Sequence, residues 1–571
     1  FSPTCLAHTR SYLQRDYGTV AALNREWDTA FKTWETVKPM TAPEAKKHGN
    51  IAPWADHRLA MEEMFSGLVK EGTTVIRKED PMARVGLEGI TGSGMGPKSA
   101  ESSTLGYDFG RIVPAGNFWN IYFQHYPQVE FLRSFAAPGA LLGTYTQPFE
   151  DYPKGYFADA WRNERVNRFV PWYGLFHGMN SIIYWGIQQT GWHGFYTPDF
   201  RTTPWADQCV ESLQEIKGGI GKQLIGSRRD HCGIAVHYSQ TSLHADSIAG
   251  RNDRMNSLRG VCHLLEDLFL QYDLVSREQL ASGKLKDYRA LILPYSQAIW
   301  QDESDALRRF TAAGGLILAD GPAGVMDGHC KRVEPSMLSG VPVSKLTHPV
   351  WKYAEVRDVP TGNPTRDELK ALLTKAGVKP LATVTPLDGK LLTGCELTMF
   401  HNGAARHLGL LQGREYLGQE GKRPNPRPAR ITLSEPSHVY DVRKREYLGS
   451  VQEIMTSIEP AVARLYALLT SPVTQVAING LKPAYQLGKS VRYQVSVATA
   501  SGQVPPLVVR VEVSRPDGTI YKEYSRNLSA LRGGEVQRVF TLALNDPPGT
   551  WKMTARSVAT GHSVEATFLV E

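Results

Sequence analysis

The first 225 residues alternate between stretches with the apolar spacing of helices and short apolar runs. Ser2 followed by Pro3 is typical of an N-cap with proline in the first turn, and it opens a predicted helix that ends near Gly18. Thr19 then caps a second predicted helix, and a longer helix is predicted over about 54–78. Helices alternating with short apolar runs indicate βα units that form a parallel sheet.

Four short apolar runs in this segment are predicted strands. They are Ala83–Leu87, Arg111–Val113, Ala140–Tyr145 and Ser181–Trp185. A helical pattern at about 162–178 separates the last two runs. We therefore predict an α/β fold class for residues 1–225, as the C-terminal part of a (β/α)8 barrel of the TIM type. A closed barrel of this type needs about eight strands, and the segment supplies four candidates.

Residues 230–410 carry the pattern of a second α/β unit. Buried-strand runs are predicted at 233–238, 290–294 and 316–321, with helices at about 254–272 and 304–313. This order predicts a short doubly wound sheet, similar to flavodoxins or class I glutaminases. A glutaminase needs a nucleophilic cysteine on a turn between strand and helix, and neither Cys232 nor Cys262 has that setting. We therefore expect this unit to serve in subunit assembly.

The last part of the chain is predicted to be all-β. Residues 411–470 are predicted to form a small β domain. Apolar and polar residues then alternate with period two over Val491–Val497 and Val508–Val513, and Pro516-Asp517-Gly518 is a turn signal. Strands at this spacing predict an immunoglobulin-like β-sandwich over 471–571.

Composition removes several classes of function. Lys and Arg number 64 against 57 Asp and Glu, and the resulting charge of +7 is scattered, with no basic run that would bind nucleic acid. No window approaches the roughly 18 consecutive apolar residues of a membrane span. The six cysteines form no CxxC pair, and the sequence has no GxSxG, HExxH or Walker motif. We predict no metal and no cofactor.

Tryptophan is concentrated at the start of the chain. Of the 12 tryptophans, nine lie in the first 205 residues. A cleft that binds flat, partly apolar ligands would produce such a bias, and so would a tryptophan-rich core, which is the more frequent role of any single tryptophan.

Candidate ligand residues lie near the ends of the predicted strands, where the site of a (β/α)8 enzyme lies. Tyr107 and Asp108 precede the run at Arg111, Trp119 is expected in the loop that follows this run, and the other candidates follow predicted strands. Acids, amides and aromatic rings are mixed there, which suits a carbohydrate: polar groups bond to hydroxyls and flat rings cover the apolar face of a pyranose. The candidate catalytic residues are Glu150 and Glu88, and the candidate substrate-binding residues are Tyr107, Asp108, Trp119, Tyr145, Gln147, Trp185, Trp192 and His193.

Glycoside hydrolysis needs two carboxyl groups, one to protonate the departing oxygen and one to attack the anomeric carbon or to activate water. Glu150 and Glu88 are the best-placed pair, and a separation near 5 Å would predict retention, against about 6.5–9.5 Å for inversion. Each has an alternative role. Glu88 could form an ion pair with Arg84 or Arg111, and Glu150 with Asp151 could form a solvated turn.

Three stretches resemble glycoside hydrolase family 42 β-galactosidases. The run from Tyr17-Gly18 through Leu23-Asn24 to Trp27 is similar to the stretch after that family's acid/base strand, and His177–Trp185 is similar to its last barrel strand. Leu293-Pro294-Tyr295 with Phe310–Gly315 resembles the family's trimerisation domain. The resemblance covers about 1–345 and, more loosely, 431–470.

The resemblance implies a retaining exo-glycosidase that acts on oligosaccharides, assembles as a homotrimer, and uses an acid/base Glu after strand four and a nucleophile Glu after strand seven. Strands one to four would precede Phe1, so the acid/base is expected to be missing from this chain. After the strand-seven segment, Glu150 is the expected nucleophile, and Gln147 is the alternative occupant of that place. A neutral amide cannot attack, so a non-catalytic carbohydrate-binding or scaffold protein is the second hypothesis. An enzyme fragment that cannot fold its first domain alone is the third hypothesis. The C-terminal sandwich resembles accessory domains of secreted bacterial glycosidases.

Overall fold

The structure is a computed structural model. It describes residues 1–87, 108–122, 128–146, 160–184, 187, 194–348, 350–353, 363–417, 423–529 and 534–571. The chain divides into two compact units. The first contains Phe1–Thr146, Ser181–Ile183 and His231–Pro380, and the second contains Gln147–Asn180, Tyr184–Asp230 and Leu381–Glu571. The predicted domain boundaries near residues 225, 410 and 470 stay a prediction.

Four helices open the first unit. They are α1 (Pro3–Tyr17), α2 (Val20–Trp27), α3 (Ala42–His48) and α4 (Ala52–Glu79). The two predicted N-caps are confirmed, because Ser2 Oγ accepts from the Cys5 amide at 3.1 Å and Thr19 Oγ1 accepts from the Ala22 amide at 3.1 Å. Gly18 ends α1 with φ of 68°, a backbone conformation that favours glycine.

A four-stranded sheet follows, in the order β1-β2-β3-β4. The elements of this segment are β1 (Gly86–Leu87), α5 (Phe109–Ala115), β2 (Phe118–Tyr122), α6 (Gln128–Phe135), β3 (Leu141–Thr146), α7 (Ala160–Phe176) and β4 (Ser181–Tyr184). Strands β1, β2 and β3 pair in parallel, with Trp119 beside Leu142 and Asn120 beside Gly143. The predicted parallel βα arrangement of this segment is therefore confirmed.

The predicted strand at Arg111–Val113 is wrong, because these residues lie in α5. Asp108 accepts from the Gly110 amide at 3.0 Å and so caps the helix, and Ile112 and Val113 are buried on it. Three residues are too few to reveal whether the period is helical or extended. Trp119, expected in a loop, lies instead in β2.

The second unit next contributes α8 (Pro204–Glu215), α9 (Gly221–Ile225) and the short strand β5 (Arg228–Arg229). The chain then returns to the first unit and forms a five-stranded parallel sheet. Its elements are β6 (Ile234–His237), α10 (Gln240–Ile248), α11 (Asp253–Asp267), β7 (Tyr272–Val275), α12 (Arg277–Ala281), β8 (Ala290–Leu293), α13 (Gln301–Ala312), β9 (Leu316–Ala319), β10 (Ser344–Lys345) and α14 (Pro364–Lys375).

The order of this sheet is β10-β9-β8-β6-β7. It is the flavodoxin-like order, in which the chain runs outward in both directions from a switch point between the first and third strands, here β6 and β8. Residues of β6 and β8 are fully buried, which explains why both strands are apolar except for His237 at the end of β6. The predicted doubly wound sheet is confirmed.

The rest of the second unit is antiparallel. A seven-stranded sheet has the order β11-β14-β16-β13-β12-β5, with β15 paired to β14. Its strands are β11 (Ala382–Pro386), β12 (Cys395–Asn402), β13 (Ala405–Gln412), β14 (Arg427–Asp441), β15 (Glu446–Ile458) and β16 (Arg464–Leu469) together with β5.

The C-terminal region has two further sheets, ordered β17-β19-β22 and β18-β24-β23-β20-β21. The strands are β17 (Val473–Asn479), β18 (Ala484–Tyr485), β19 (Ser490–Thr499), β20 (Val508–Ser514), β21 (Arg526–Ser529), β22 (Glu535–Thr541), β23 (Gly549–Ser557) and β24 (Ser563–Val570). Trp551, Phe540 and Phe568 fill the core of this sandwich. The predicted β-sandwich is confirmed. Among the described residues, no helix is both long enough and apolar enough to cross a membrane.

Candidate active site at the four-stranded sheet

The strand ends of the four-stranded sheet locate the candidate site. Strands β1, β3 and β4 end at Leu87, Thr146 and Tyr184. In (β/α)8 proteins the carboxyl ends of parallel strands form the edge that carries the ligand site. In sequence, Glu88, Gln147 and Trp185 are the residues that directly follow these three strands.

Most of the predicted site residues lie outside the described residues. They are Glu88, Tyr107, Gln147, Glu150, Trp185, Trp192 and His193. Their roles therefore stay predictions. Asp108, Trp119 and Tyr145 are described, and each has a definite place in the fold.

The two faces of the sheet differ in chemistry. Trp119 and Leu142 are paired neighbours on one face and are buried there. Asn120 and Gly143 are the next pair and therefore point to the opposite face. A Cβ on Gly143 would lie 3.3 Å from Asn120 Oδ1 and 3.5 Å from Ser181 Cβ, so Asn120, Gly143 and Ser181 share this polar, small-residue face.

Asn120 is the unusual residue of that face. Its side chain is 0% exposed, and neither Oδ1 nor Nδ2 has a hydrogen-bond partner among the described residues. The hydroxyl of Thr144 and the indole nitrogen of Trp119 are likewise buried without a hydrogen-bond partner among the described residues. Each buried polar group without a partner costs about 1–3 kcal/mol, and such groups in native proteins call for an explanation such as a bound molecule or an ordered water. Asn120 is thus a candidate ligand contact.

Sequence reasoning missed Asn120, although a signal was present. Strands of parallel sheets covered on both faces are continuously apolar, and Phe118–Tyr122 is apolar and aromatic except for this asparagine. A single amide inside such a run needs a hydrogen-bond partner, which either the protein or a ligand supplies.

Trp119, predicted to bind substrate, is fully buried on the face opposite Asn120. Its ring packs over Gly116, where a Cβ would come within 2.7 Å of Trp119 Cζ2. This packing agrees with the alternative interpretation that the tryptophans belong to the core rather than to a ligand-binding cleft. Tyr145 pairs with Tyr122 one residue before the end of β3, at the carboxyl edge.

Asp108 lies at the start of a helix. It caps α5, lies 3.4 Å from Arg111 Nε, and Arg111 Nε lies 3.2 Å from Glu278 Oε1. Burial raises the pKa of Asp108 to about 7; Arg111 opposes this rise, while the charges of Glu62 and Glu278 add to it. The carboxyl group is therefore engaged in holding the start of a helix.

A neighbouring carboxylate, Glu62, was not predicted. Its Oε1 accepts from Gln240 Nε2 at 2.7 Å and lies 2.8 Å from His244 Nε2, and both partners are buried on α10. The cavity lined by Asp108, Arg111 and Gln240 has a volume of about 20 Å³, room for about one water. Glu62 thus joins α4 to α10, and its charge acts on the buried Asp108 that caps α5.

Comparison with known proteins supports the fold. The chain matches no model of a protein family and no curated protein sequence. A β-galactosidase from Bacillus circulans sp. alkalophilus superposes with a TM-score of 0.62 and 14% identity, over 82% of this chain and 77% of that one. An exo-carrageenase of glycoside hydrolase family 42 from Bacteroides ovatus gives 0.56 and 14%, over 82% and 63%.

A β-galactosidase of glycoside hydrolase family 42 from G. stearothermophilus gives a TM-score of 0.60 and 14% identity, over 82% of this chain and 76% of that one. Each of these similarities covers 82% of this chain, far more than one common supersecondary motif. The fold of this chain is therefore similar to that of the family 42 β-galactosidases, as the resemblance in its sequence predicted.

Proposed function

We propose that this protein is a glycoside hydrolase that acts on a β-linked galactoside or a similar sugar from a polysaccharide. The observation that carries the proposal is the fold similarity to β-galactosidases over 82% of the chain. The buried amide of Asn120, which has no hydrogen-bond partner in the described part of the chain, adds support, because hydroxyl-rich ligands satisfy both the donor and the acceptor of an amide.

The proposed chemistry assigns the nucleophile to Glu150. Its carboxylate would attack the anomeric carbon and displace the leaving group, and water would then hydrolyse the glycosyl-enzyme ester with net retention. Glu88 is the proposed second carboxyl group, which would protonate the departing oxygen. The other predicted contacts would hold the sugar through ring faces and hydrogen bonds; they are Tyr107, Tyr145, Gln147, Trp185, Trp192 and His193. Trp119 and Asp108 are left out of this set, because Trp119 is buried over Gly116 and Asp108 caps α5.

Substitution of Glu150 tests this assignment. Glu150→Gln removes the nucleophile while keeping its shape, so we expect hydrolysis of an aryl β-galactoside to fall by about a thousandfold or more. Asp151→Asn is the matched control, since it removes the adjacent negative charge. NMR of the first product formed would show the β-anomer if the mechanism is retaining. Unchanged hydrolysis by Glu150→Gln would exclude Glu150 from the mechanism.

A non-catalytic carbohydrate-binding protein is the second candidate function, and one observation favours it. The residue that directly follows β3 is Gln147, and Glu150 comes three residues later. If Gln147 occupies the nucleophile position, the wild-type protein would bind sugars without hydrolysing them, and Gln147→Glu would create hydrolysis. Hydrolysis by the wild-type protein of any glycoside in a panel of galactosides and carrageenan oligosaccharides would reject this candidate.

The proposal includes assembly through the five-stranded sheet region, because the family resemblance implies a homotrimer. Light scattering on the full chain tests it. A mass of three chains is expected, and a mass of one chain at micromolar concentration would reject the trimer without affecting the proposed chemistry.

A further inference from the structure

A second cavity lies in the first unit, beyond the carboxyl ends of the five-stranded sheet. Its volume is about 540 Å³. Its walls come from α3, the start of α4, the end of α10 and the segment 326–332 that follows β9. Met326 forms a parallel bridge with Ala298, which itself follows β8. In open α/β sheets, the crevice outside the carboxyl ends of the strands near the switch point is where ligands bind.

The floor of this cavity is apolar. Ala45, Ala245, Ile248 and Met326 line it, and each is at most 6% exposed. The floor side chains are packed against one another in a continuous core cluster, so the floor is rigid. It offers a surface that an apolar face of a ligand could cover.

The rim is cationic. The lining residues include Lys46, Arg251, Lys331 and Arg332, against a single carboxylate, Asp28. Asp28 is already used, since it accepts from Lys331 Nζ at 2.9 Å. The rim therefore keeps a surplus of positive charge.

Two of these cations are available to a ligand. Lys46 and Arg332 are exposed at the rim, and no ion pair joins either of them to a carboxylate among the described residues. Arg251 is only loosely held, at 3.4 Å from both Asp246 and Asp253. Lys46 also lies in the last turn of α3, where a cation favours the helix dipole, but that interaction leaves its ammonium group exposed.

We propose that this cavity binds an acidic saccharide, with its carboxylate or sulfate group between Lys46 and Arg332 and its sugar ring on the apolar floor. The volume lies within the range of small-molecule sites, about 300–1,000 Å³, and is far larger than an inorganic anion requires. The choice of a saccharide rests on the proposed function, whereas the choice of an anion rests on the rim charges alone.

Calorimetric titration of the full chain tests the proposal with four probes: digalacturonate, galactose 6-sulfate, neutral galactose and inorganic sulfate. We expect the two acidic sugars to bind, with an affinity that falls as salt rises, because the rim charges are exposed. Lys46→Gln and Arg332→Gln should each weaken binding by about fivefold. Lys47→Gln is the matched control, because it removes the same charge one residue further along α3 from a residue that does not line the cavity.

Several outcomes would overturn the proposal. These are absence of binding by both acidic sugars, equal binding of inorganic sulfate, equal binding of neutral galactose, or an equal loss of affinity in Lys47→Gln. The Asn120→Ala variant separates this site from the proposed active site, because Asn120 is the candidate sugar contact at the four-stranded sheet and does not line the cavity. Binding of acidic sugars that persists in that variant and weakens in Arg332→Gln belongs to the cavity, even if hydrolysis is never observed.

Discussion

Two buried centres, one around Asp56 in the first unit and one around Trp551 in the C-terminal sandwich, are stabilised by different means. In the first unit, Asp56 is 0% exposed and is surrounded by polar partners. In the sandwich, Trp551 and Phe568 are fully buried with ring centroids 6.3 Å apart. One interior depends on a set of hydrogen bonds with fixed geometry, and the other depends on buried apolar area.

The difference has a physical consequence. A buried carboxylate is tolerated only when every partner is in place, so it fixes the relative positions of the elements that supply the partners. An apolar core accepts changes of shape more readily, provided its volume is kept. The cluster around Asp56 joins Tyr17 of α1 and Trp27 of α2 to His329. His329 belongs to the segment 326–332, which forms one wall of the cavity with the cationic rim.

The largest effect is expected from Asp56→Ala. Tyr17 Oη and Trp27 Nε1 donate to Asp56 Oδ2 at 2.6 and 2.7 Å, and His329 Nδ1 lies 2.7 Å from Oδ1. The substitution leaves the buried Trp27 and the half-buried Tyr17 and His329 without this acceptor, which should cost about 4 kcal/mol of unfolding free energy. Urea denaturation measures it. Asp16→Ala, which removes a partly exposed carboxylate 3.3 Å from Arg15, should cost less than about 1 kcal/mol.

Trp551→Ala should cost slightly less, about 3–4 kcal/mol, through the lost apolar area and the cavity that remains. The comparison is sharpened by milder substitutions. Trp551→Phe should cost only about 1 kcal/mol, because the core can repack, whereas Asp56→Asn should lose about 2 kcal/mol, because an amide cannot accept all three bonds as a carboxylate does. Equal costs for the two mild changes would remove the distinction between the two interiors.

A third effect is the pH dependence of the unfolding free energy of the first unit. Burial lowers the pKa of His329, but the charge and hydrogen bond of Asp56 outweigh it and raise that pKa to about 9. A raised folded-state pKa means that the stabilisation is complete below the unfolded value of about 6.5 and is lost as pH rises through 9. Burial and Asp327 raise the pKa of Glu26 to about 7, which acts in the same direction.

Stability of the first unit should therefore fall by up to about 3 kcal/mol between pH 6 and pH 9.5. Urea midpoints at the two pH values measure this change. The variant His329→Gln should be less stable at pH 6 and should lose most of the pH dependence. A midpoint that rises with pH in the wild-type protein would contradict the assignment of a charged His329.

The same comparison explains what could be predicted from the sequence. The caps at Ser2 and Thr19 and the strands at 233–238, 290–294 and 316–321 depend on neighbouring residues, so local patterns predicted them. The Asp56 cluster was not predictable, since its partners lie 39, 29 and 273 residues away along the chain. The strand over Arg111–Val113 failed because the N-cap at Asp108 outweighed the strand preference of two β-branched residues.

For the candidate site, the sequence located the strand ends β1, β3 and β4 but not the polar face between them. Which of two adjacent residues faces inward depends on strand register, and register follows from pairing with distant strands. The sequence therefore pointed to Trp119 as a ligand contact and not to Asn120. In the structure, Trp119 packs over Gly116 instead.

The smallest effect on stability is expected at Asn120, which is a buried polar residue in an otherwise apolar and aromatic strand. Since Asn120 makes no hydrogen bond among the described residues, Asn120→Ala should lose no bond and remove a desolvated amide, so the unfolding free energy should change by less than about 1 kcal/mol. Affinity for galactose should nevertheless fall, by about tenfold, if the amide bonds to the sugar. Asn120→Asp, of nearly the same volume, should destabilise the protein, because it places an unpaired charge on a buried face. A large loss of stability in Asn120→Ala would show that the amide is held by an ordered water or by the protein itself, and Asn120 would then belong with the structural polar groups, like Asp56.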